Sequence, residues 1–510
     1  MPTHTPSLED PAVSGVTRLI GGRWGRHAVG TTSWWWTPLR IALGATILVT
    51  VLAYLQKSPC LTHSYTDEYQ YTRVCYTDTY ALYTAEGLNA KTDADGNVIG
   101  TTSVPYGDHP VEYPPVIGGL MWAAAEVTST IHGGGGDQDP ATGLASGSRN
   151  TTFFNVTALG LALCALVSTW TVARIAGRRR AWDAMMVALS PALLLHAFTN
   201  WDLAAVAATG LGLWFWSRGS PLWSPILAGV FLGIGIATKL YPAFVLLAIL
   251  MLCLRAAKWR AGLLAIAGAA AGVVACYVPA ILVSNNFLFP NGDCKYAQPL
   301  SGWRWFFSLS RDRGTDWGSV WLVVQHWFSG DAIGRAMNTP AAAAGTCSAT
   351  PTSLNHIAEA AVLVVIAGVG LLVALAPRRP RVGQVAFLLV AGFVMLNKVD
   401  SPQYVLWLVP LAVLARPRWV SLLVWQVSEV ALGIANLYTL IALDHSDQGL
   451  PLDTYLLFIV ARDVVLVWLM ALVVRDVLVP RIDVVRRDGV DDPAGGVLDG
   501  AADSGAAFAR

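Results

Sequence analysis

Residues 37–56 read TPLRIALGATILVTVLAYLQ, a largely apolar run whose one charged residue is Arg40. A helix of about 20 mostly apolar residues spans the hydrocarbon core of a bilayer, so this run predicts a transmembrane helix. The arginine-rich segment before it has no short apolar core followed by a small-residue cleavage site and is not typical of a signal peptide. We expect residues 1–36 to form a disordered tail in the cytoplasm.

The composition of the whole chain supports the same class of protein. Of its 510 residues, 54% are hydrophobic and 13% are charged, whereas soluble domains carry about 25% charged residues. The 21 tryptophans suit a chain that crosses the headgroup layer repeatedly, because indole is apolar and also donates a hydrogen bond. Lysine plus arginine (34) nearly balances aspartate plus glutamate (33), so the net charge gives no indication of a nucleic-acid partner.

Further segments have the length and hydropathy of membrane spans. The twelve expected spans are 37–56, 152–174, 181–199, 201–217, 223–239, 240–257, 261–284, 355–376, 382–398, 402–415, 418–443 and 453–475. Basic connections such as 174–180, 255–260 and 378–381 follow alternate spans, and the positive-inside rule places them in the cytoplasm. We therefore expect an all-α, multi-pass protein of the plasma membrane with both termini in the cytoplasm.

Two large external loops follow from this topology. The expected organisation is a tail (1–36), the first helix (37–56), a first external loop with the candidate catalytic acids (57–151), helices 2–7 (152–284), a second external loop (285–354), helices 8–12 (355–475) and a cytoplasmic tail (476–510). The run 115–131 contains Glu126 and is expected to be an interfacial or packed helix of the first loop. From about residue 485 the composition predicts disorder.

The cysteines are distributed in a way that fits this topology. Cys60 and Cys75 fall in the first external loop, and Cys294 and Cys347 fall in the second. An oxidising compartment favours disulfides, so we predict the pairs Cys60–Cys75 and Cys294–Cys347, with four free thiols as the alternative. The remaining cysteines lie within expected spans, where cysteine packs as a small apolar residue.

Polar residues gather at the outer ends of the spans. They comprise the acids Asp67, Glu68 and Asp78 with the later HPVEYPP run of the first loop, NWD (200–202), KLYP (239–242) and LNKVDSPQY (396–404). A transporter usually places its ionisable residues near the bilayer midplane, so this distribution favours an enzyme whose site lies at the outer surface. The alternative is a lipid-linked-sugar flippase or another polytopic transporter without catalysis.

Each polar feature also has a structural explanation. A lysine at the end of a span, such as Lys239, commonly extends to the headgroups. Asn200 could cap a helix, and Asp202 could favour the positive end of the helix dipole. The histidines lack the spacing of a metal-ligand set, so no metal is expected.

Taken in order, the short motifs resemble glycosyltransferase family 87, a GT-C family of polyprenol-phosphate-sugar-dependent membrane enzymes that includes actinobacterial mannosyltransferases. The motifs are DTY (78–80), EGL (86–88), PY (105–106), EYPP (112–115), NWD (200–202), KLYP (239–242) and SPQYVLWLVP (401–410). The resemblance implies a GT-C-like bundle that moves a sugar, with mannose expected first, from a polyprenyl-phosphate donor to a glycolipid or polysaccharide of the cell envelope. Membrane lipids are further partners, and the donor is a substrate, so no cofactor is expected.

The chemistry of such a transfer requires a base and fixed cations. The leaving phosphate is already a competent anion, so a carboxylate must accept the proton of the attacking hydroxyl and cations must stabilise the departing phosphate. A single displacement inverts the anomeric centre. Asp78 resembles the catalytic aspartate of the family. Asp67 and Glu68 resemble the acidic pair of protein O-mannosyltransferases, which makes Asp67 the second candidate base, and Glu112 is a third.

The remaining roles follow the same resemblance. Lys239 and Lys398 are expected to bind the donor phosphate. Substrate contacts are expected from Glu112, Tyr113, Asn200, Asp202, Gln403 and Tyr404. The arginines of the segment 302–317 could meet acceptor or headgroups, and their aromatic neighbours also suit a helix that lies on the bilayer.

Overall fold

The computed structural model describes residues 11, 13, 15 and 36–503, except 64, 66–67, 90, 93–97, 101, 110, 133–146, 285–301, 329–351, 445–447 and 487–488. Within these ranges the regular structure is helical apart from one antiparallel pair of short strands, β1 (Lys91–Thr92) and β2 (Val98–Gly100). The predicted helical class is therefore confirmed. The predicted partners Cys294 and Cys347 and the candidate base Asp67 lie outside the described residues.

The described α-helices are numbered here in chain order. They are α1 (Pro38–His63), α2 (Tyr69–Thr72), α3 (Asp78–Ala85), α4 (Pro115–His132), α5 (Gly147–Arg180), α6 (Met185–Ala188), α7 (Pro191–His196), α8 (Asp202–Ser217), α9 (Trp223–Ile236), α10 (Pro242–Arg255), α11 (Trp259–Val283), α12 (Trp305–Asp312), α13 (Val320–Trp327), α14 (Thr352–Leu375), α15 (Val382–Leu396), α16 (Val405–Ala415), α17 (Trp419–Asp444) and α18 (Leu452–Leu478).

Among the described residues, six helical segments are long and apolar enough to cross a membrane. They are Pro38–Thr62, Ser148–Ala188, Trp259–Val283, Ser353–Leu375, Trp419–Ala442 and Leu452–Leu478. Shorter apolar helices cover four more expected spans: Trp223–Ile236, Pro242–Arg255, Val382–Leu396 and Pro402–Ala415. The chain is a polytopic membrane protein, while the number of twelve spans and the two-loop organisation stay predictions.

The expected span 181–199 is not one continuous helix. A 3₁₀ turn at Ala181–Ala184 leads into the short α6, and α7 begins anew at Pro191. Proline lacks an amide hydrogen and has a helical φ, so it favours the first turn of a helix and disrupts an interior. The hydroxyl of Ser190 caps α7 by accepting from the amide of Leu193. Because α7 ends at His196, the chain turns at residues 197–201, where Asn200 lies.

Helices α9 and α11 pack with their backbones in direct contact. A side chain at Gly229 would collide with the carbonyl of Ala265, and one at Gly268 would collide with the carbonyl of Ile226. Small residues permit this close approach between membrane helices. Helix α16, by contrast, is buried along its whole length at the centre of the bundle.

The first loop is folded against the bundle. A disulfide joins Cys60 at the end of α1 to Cys75, as the sequence predicts, with 5.7 Å between the Cα atoms. The hydroxyl of Tyr65 accepts from the amide of Thr77 (2.8 Å) and donates to the carbonyl of the same residue (2.5 Å). Helix α4 packs against α5 and α11, in keeping with a packed helix at this position. These contacts hold the segment that leads into α3.

The C-terminal segment lies against one end of the bundle. Asp483 forms a buried ion pair with Arg381 (2.7 Å), and Asp503 pairs with Arg255 (2.8 Å). Arg180 donates to the carbonyl of Val484 (3.3 Å). The prediction of disorder is therefore wrong for the described residues 489–503, because aspartates of the segment pair with arginines from distant connections. The basic connections that the sequence analysis assigns to one side of the membrane meet at this one end.

The disulfide predicts a measurable loss of stability. We expect the Cys60→Ser/Cys75→Ser variant to unfold at lower temperature, because closing a loop of about 15 residues stabilises by about 3 kcal/mol in the chain-entropy account. The measurement is thermal unfolding of the purified protein in detergent. Cys276→Ala, at a cysteine that forms no disulfide, serves as the control. An unfolding temperature of the double variant equal to that of the wild type would contradict the prediction.

Candidate active site

Asp78 begins α3, and the backbone at this point is attached to the turn between α7 and α8. The amide of Asp78 donates to the carbonyl of Thr199 (2.8 Å). The hydroxyl of Thr77 donates to the carbonyl of Phe198 (2.5 Å). Thr77 is fully buried, so these bonds are shielded from water. The first loop is therefore fixed to a segment more than a hundred residues away in sequence.

The carboxylate of Asp78 receives one hydrogen bond on each oxygen. The hydroxyl of Tyr76 donates to Oδ1 (2.6 Å), and Nδ2 of Asn200 donates to Oδ2 (2.7 Å). Nδ2 of Asn200 also donates to the hydroxyl of Tyr113 (2.9 Å). The amide of Trp201 donates to Oδ1 of Asn200 (2.6 Å), which fixes the orientation of that side chain. Asp78 is thus held in one geometry.

The surroundings of Asp78 favour its protonated form. Its side chain is partly open to cavities, yet it lies deep enough among protein atoms that burial raises its pKa above the usual range. The hydrogen bonds from Tyr76 and Asn200 stabilise the carboxylate and oppose this shift, the charge of Glu112 adds to it, and Lys239 opposes it. A raised pKa brings an acid closer to the strength a general base needs near neutral pH.

Lys239 lies beside the ring of Tyr113, whose hydroxyl accepts a hydrogen bond from Asn200. Its ammonium is 3.5 Å from Oδ1 of Asp202, which also accepts from the indole of Trp407 (2.8 Å). Both members of the ion pair are buried, and Asp202 is fully so. The pair therefore holds the lysine in place at the cavity wall, with Asp202 as its buried counter-charge.

Aromatic rings surround the Lys239 ammonium. It lies 5.0 Å from the ring centre of Tyr113 and 5.7 Å from that of Tyr404. The ring of Trp407 stacks between Tyr404 (3.8 Å) and Tyr241 (4.6 Å). Aromatic faces attract a cation, so these rings stabilise the charge at this position.

Lys398 holds the backbone of Arg313, a second cationic residue near Lys239. Its ammonium donates to the backbone carbonyls of Arg311 (2.7 Å) and Arg313 (2.6 Å). The guanidinium of Arg313 forms an ion pair with Glu112 at 2.6 Å and stays partly exposed. The backbone amide of Glu112 in turn donates to Glu86 (3.4 Å). Burial, with the neighbouring charge of Glu112, raises the pKa of Glu86 to about 8.

A cavity of about 300 Å³, called here the Lys239 cavity, brings these groups together. Its polar lining is Asp78, Glu112, Tyr113, Asn200, Lys239, Tyr241, Ser310, Arg313, Asn397, Lys398, Ser401, Gln403, Tyr404 and Trp407, and its apolar lining is Leu240, Phe306, Leu309, Phe393 and Val399. Asp202 is not part of this lining. The cavity thus places two carboxylates, three cationic side chains and an apolar wall around one space.

The sequence analysis did not identify several residues of this site. The hydroxyl of Tyr76 donates to Asp78, and the indole of Trp407 donates to Asp202. Lys57 in α1 donates to the carbonyl of Tyr76 (2.8 Å). Arg313 was considered only as a contact to acceptor or headgroups. The signal for Tyr76 was its position two residues before Asp78, but side-chain bonding between such neighbours depends on the turn before α3. Among the described residues, no group of His, Cys, Asp and Glu could hold a metal ion.

Comparison with known proteins gives a family match for part of the chain. The model described as glycosyltransferase family 87 matches residues 144–397. This segment matches glycosyltransferase family 87, a family of membrane glycosyltransferases, so the predicted family is confirmed; of the motifs that suggested it, NWD (200–202) and KLYP (239–242) lie within the match. No curated protein and no solved structure matches the chain. The matched segment contains Asn200, Asp202 and Lys239, whereas Asp78 and Lys398 lie outside it.

The pairing of Lys239 with Asp202 predicts a double-variant rescue. We expect Lys239→Met to lower the unfolding temperature, because removing one partner of a buried ion pair costs about 3–5 kcal/mol. Lys239→Met/Asp202→Asn should recover most of the loss, since no unpaired charge then stays buried. Thermal unfolding in detergent measures both.

The control is Lys258→Met, at an exposed lysine between α10 and α11. It should change stability by less than about 0.5 kcal/mol. If Lys239→Met and Lys258→Met unfold alike, the ion pair does not stabilise the fold.

Proposed function

We propose that this glycosyltransferase moves a sugar from a polyprenyl-phosphate donor to a hydroxyl of a cell-envelope acceptor, with Asp78 as the base. One observation carries the proposal: the carboxylate of Asp78 and the cations Lys239 and Arg313 line the same cavity. A base and a phosphate site next to each other are the two requirements of this transfer. Mannose is the sugar proposed first, and this choice rests on the family resemblance alone.

The donor is assigned to the Lys239 cavity by charge and by apolar surface. Lys239 and Arg313 offer cationic groups to the phosphate, and Lys398 supports them by holding the backbone at Arg313. Phe306 and Leu309 provide an apolar wall suited to the first units of a prenyl chain. No part of this assignment needs a cofactor, because the donor itself carries the activated sugar.

The reaction is a single displacement at the anomeric carbon. The acceptor hydroxyl gives its proton to the carboxylate of Asp78 while its oxygen forms a bond to the anomeric carbon. The bond from that carbon to the phosphate oxygen breaks, and polyprenyl phosphate leaves with the electron pair. Lys239 and Arg313 stabilise the added negative charge on the phosphate. The configuration of the sugar is inverted.

We assign the site to the outer face of the plasma membrane and both termini to the cytoplasm. Arg180, Arg255 and Arg381 come from basic connections and gather with the C-terminal segment at one end of the bundle. The positive-inside rule makes this the cytoplasmic end. The disulfide between Cys60 and Cys75 lies close to Asp78 in sequence, and disulfides persist in oxidising compartments. Both features support the same orientation.

Substitution of the base tests the chemistry. We expect Asp78→Asn to lower turnover of polyprenyl-phosphate mannose by about 10²–10⁴-fold, since that is the contribution of a general base. Donor affinity should change little, because the amide keeps the shape of the side chain. The measurement is transfer of radiolabelled sugar by membranes with equal amounts of protein.

The rival base is tested alongside. Asp67→Asn should retain wild-type turnover within about twofold, whereas an inactive Asp67→Asn with an active Asp78→Asn would move the base to Asp67. The twofold limit corresponds to about 0.4 kcal/mol in barrier height.

The raised pKa of Asp78 predicts the pH dependence of activity. The reaction requires the carboxylate, so kcat/KM should fall as the pH drops through the raised pKa, above the ordinary aspartate value of about 4. Asn200→Ala removes a hydrogen bond that favours the carboxylate, and it should move this limb to higher pH. Glu86→Gln removes another first-loop acid whose pKa is raised and should leave the limb in place. A limb that disappears in Glu86→Gln would contradict the assignment.

A further inference from the structure

A second cavity meets the Lys239 cavity at Asp78. It measures about 210 Å³ and is called here the Asn436 cavity. Asp78, Ser401 and Gln403 line both cavities, so the base stands between them. The family match and the proposed donor site give this second space no role.

Two buried side chains that line the Asn436 cavity carry polar atoms without a hydrogen-bond partner. Both ring nitrogens of His196 and Oδ1 of Asn436 are unpartnered, and these residues are only 6% and 9% exposed. Buried polar groups are nearly always hydrogen-bonded, and leaving one unpaired costs about 1–3 kcal/mol. A ligand with hydroxyl groups would satisfy them, because a hydroxyl both donates and accepts.

The charge of the Asn436 cavity differs from that of the Lys239 cavity. Its cation is Lys57, whose ammonium donates to the carbonyl of Tyr76 (2.8 Å). The lining also includes Asp316 and the aromatic residues Tyr71 and Trp317. Carboxylate, amide and imidazole groups beside aromatic residues suit a neutral polyhydroxylated ring better than a phosphate. At the same time Leu437 and Leu440 give the cavity an apolar side.

The two oxygens of Asp78 are associated with different cavities. Oδ1 is bonded to Tyr76, which lines the Asn436 cavity, and Oδ2 is bonded to Asn200, which lines the Lys239 cavity. The carboxylate of Asp78 therefore borders both cavities, so that a hydroxyl in the Asn436 cavity can meet the base without entering the proposed phosphate site.

We propose that the Asn436 cavity binds a neutral sugar ring of the acceptor and presents its hydroxyl to Asp78. The assignment deepens the proposed function and rests on it. Asn436 and His196 bind the other hydroxyls of the ring and orient it. The lipid part of a glycolipid acceptor extends along Leu437 and Leu440.

Photoaffinity labelling tests the two cavities separately. The acceptor probe is n-octyl mannoside with a diazirine on the octyl chain, and the donor probe is a prenyl phosphate with a diazirine on the prenyl chain. Labelled peptides are identified by mass spectrometry of the full-length protein in detergent. We expect the mannoside probe to label α17 near Leu437 and the prenyl phosphate probe to label α12 near Phe306.

The test variant is Asn436→Leu, and the matched control is Thr439→Val one turn further along the same helix. Thr439 is equally buried, but its hydroxyl donates to the carbonyl of Ala435 (2.9 Å) and does not line the cavity. Losing a hydrogen-bonding partner of the sugar should reduce mannoside labelling about tenfold, equivalent to about 1.4 kcal/mol. Thr439→Val should retain it, because Thr439 does not line the cavity.

The outcomes separate this inference from the proposed function. Mannoside labelling of α12, or labelling of α17 that is unchanged in Asn436→Leu, overturns the acceptor assignment while leaving the donor site intact. Absence of prenyl phosphate labelling at α12 in the wild-type protein overturns the donor site and the acceptor assignment that rests on it. Normal prenyl phosphate labelling of Asn436→Leu shows that this variant is folded.

Discussion

The geometry of the candidate site depends on two hydrogen bonds to the carboxylate of Asp78, one from Tyr76 and one from Asn200. Asn200 and Asp78 are 122 residues apart in sequence, so this bond joins the first loop to the bundle. The backbone bond from Asp78 to Thr199 reinforces it. Asn200 also orients Tyr113, whose ring lies beside Lys239. The amide side chain of Asn200 therefore contacts both the candidate base Asp78 and Tyr113, the residue beside the candidate phosphate ligand Lys239.

The two aspartates of the site have contrasting surroundings. Asp202 is fully buried and paired with Lys239, so its charge is balanced within the protein. Asp78 receives only neutral hydrogen-bond donors and borders two cavities. A carboxylate with a fixed counter-charge is a poor proton acceptor, whereas one held by neutral donors at a cavity edge remains available to a substrate. The difference in partners supports Asp78 as the base and Asp202 as a positioning residue.

Much of the arrangement could be predicted from the sequence. Hydropathy and arginine spacing predicted a helical membrane protein, and the motifs led to Asp78, Asn200 and Lys239. The break at Pro191 was missed because hydropathy over residues 181–199 does not distinguish one span from two short helices, although Ser190 followed by Pro191 is a recognisable helix start. The charge pairing of residues 489–503 could not be predicted either. A Gly- and Asp-rich tail has the composition of a disordered segment, and its distant arginine partners are known only from the structure. Side-chain contacts such as Tyr76 with Asp78 depend on tertiary structure, which periodicity does not encode.

The central claim is that a donor phosphate occupies the Lys239 cavity with its sugar toward Asp78. Electron cryo-microscopy of the protein with a bound, non-transferable polyprenyl-phosphonate sugar tests it most directly. The account predicts the phosphonate within about 4 Å of the Lys239 ammonium, the range in which unit charges interact strongly, with the anomeric carbon facing the Asp78 carboxylate. A phosphonate bound away from Lys239, or a sugar directed away from Asp78, would contradict it.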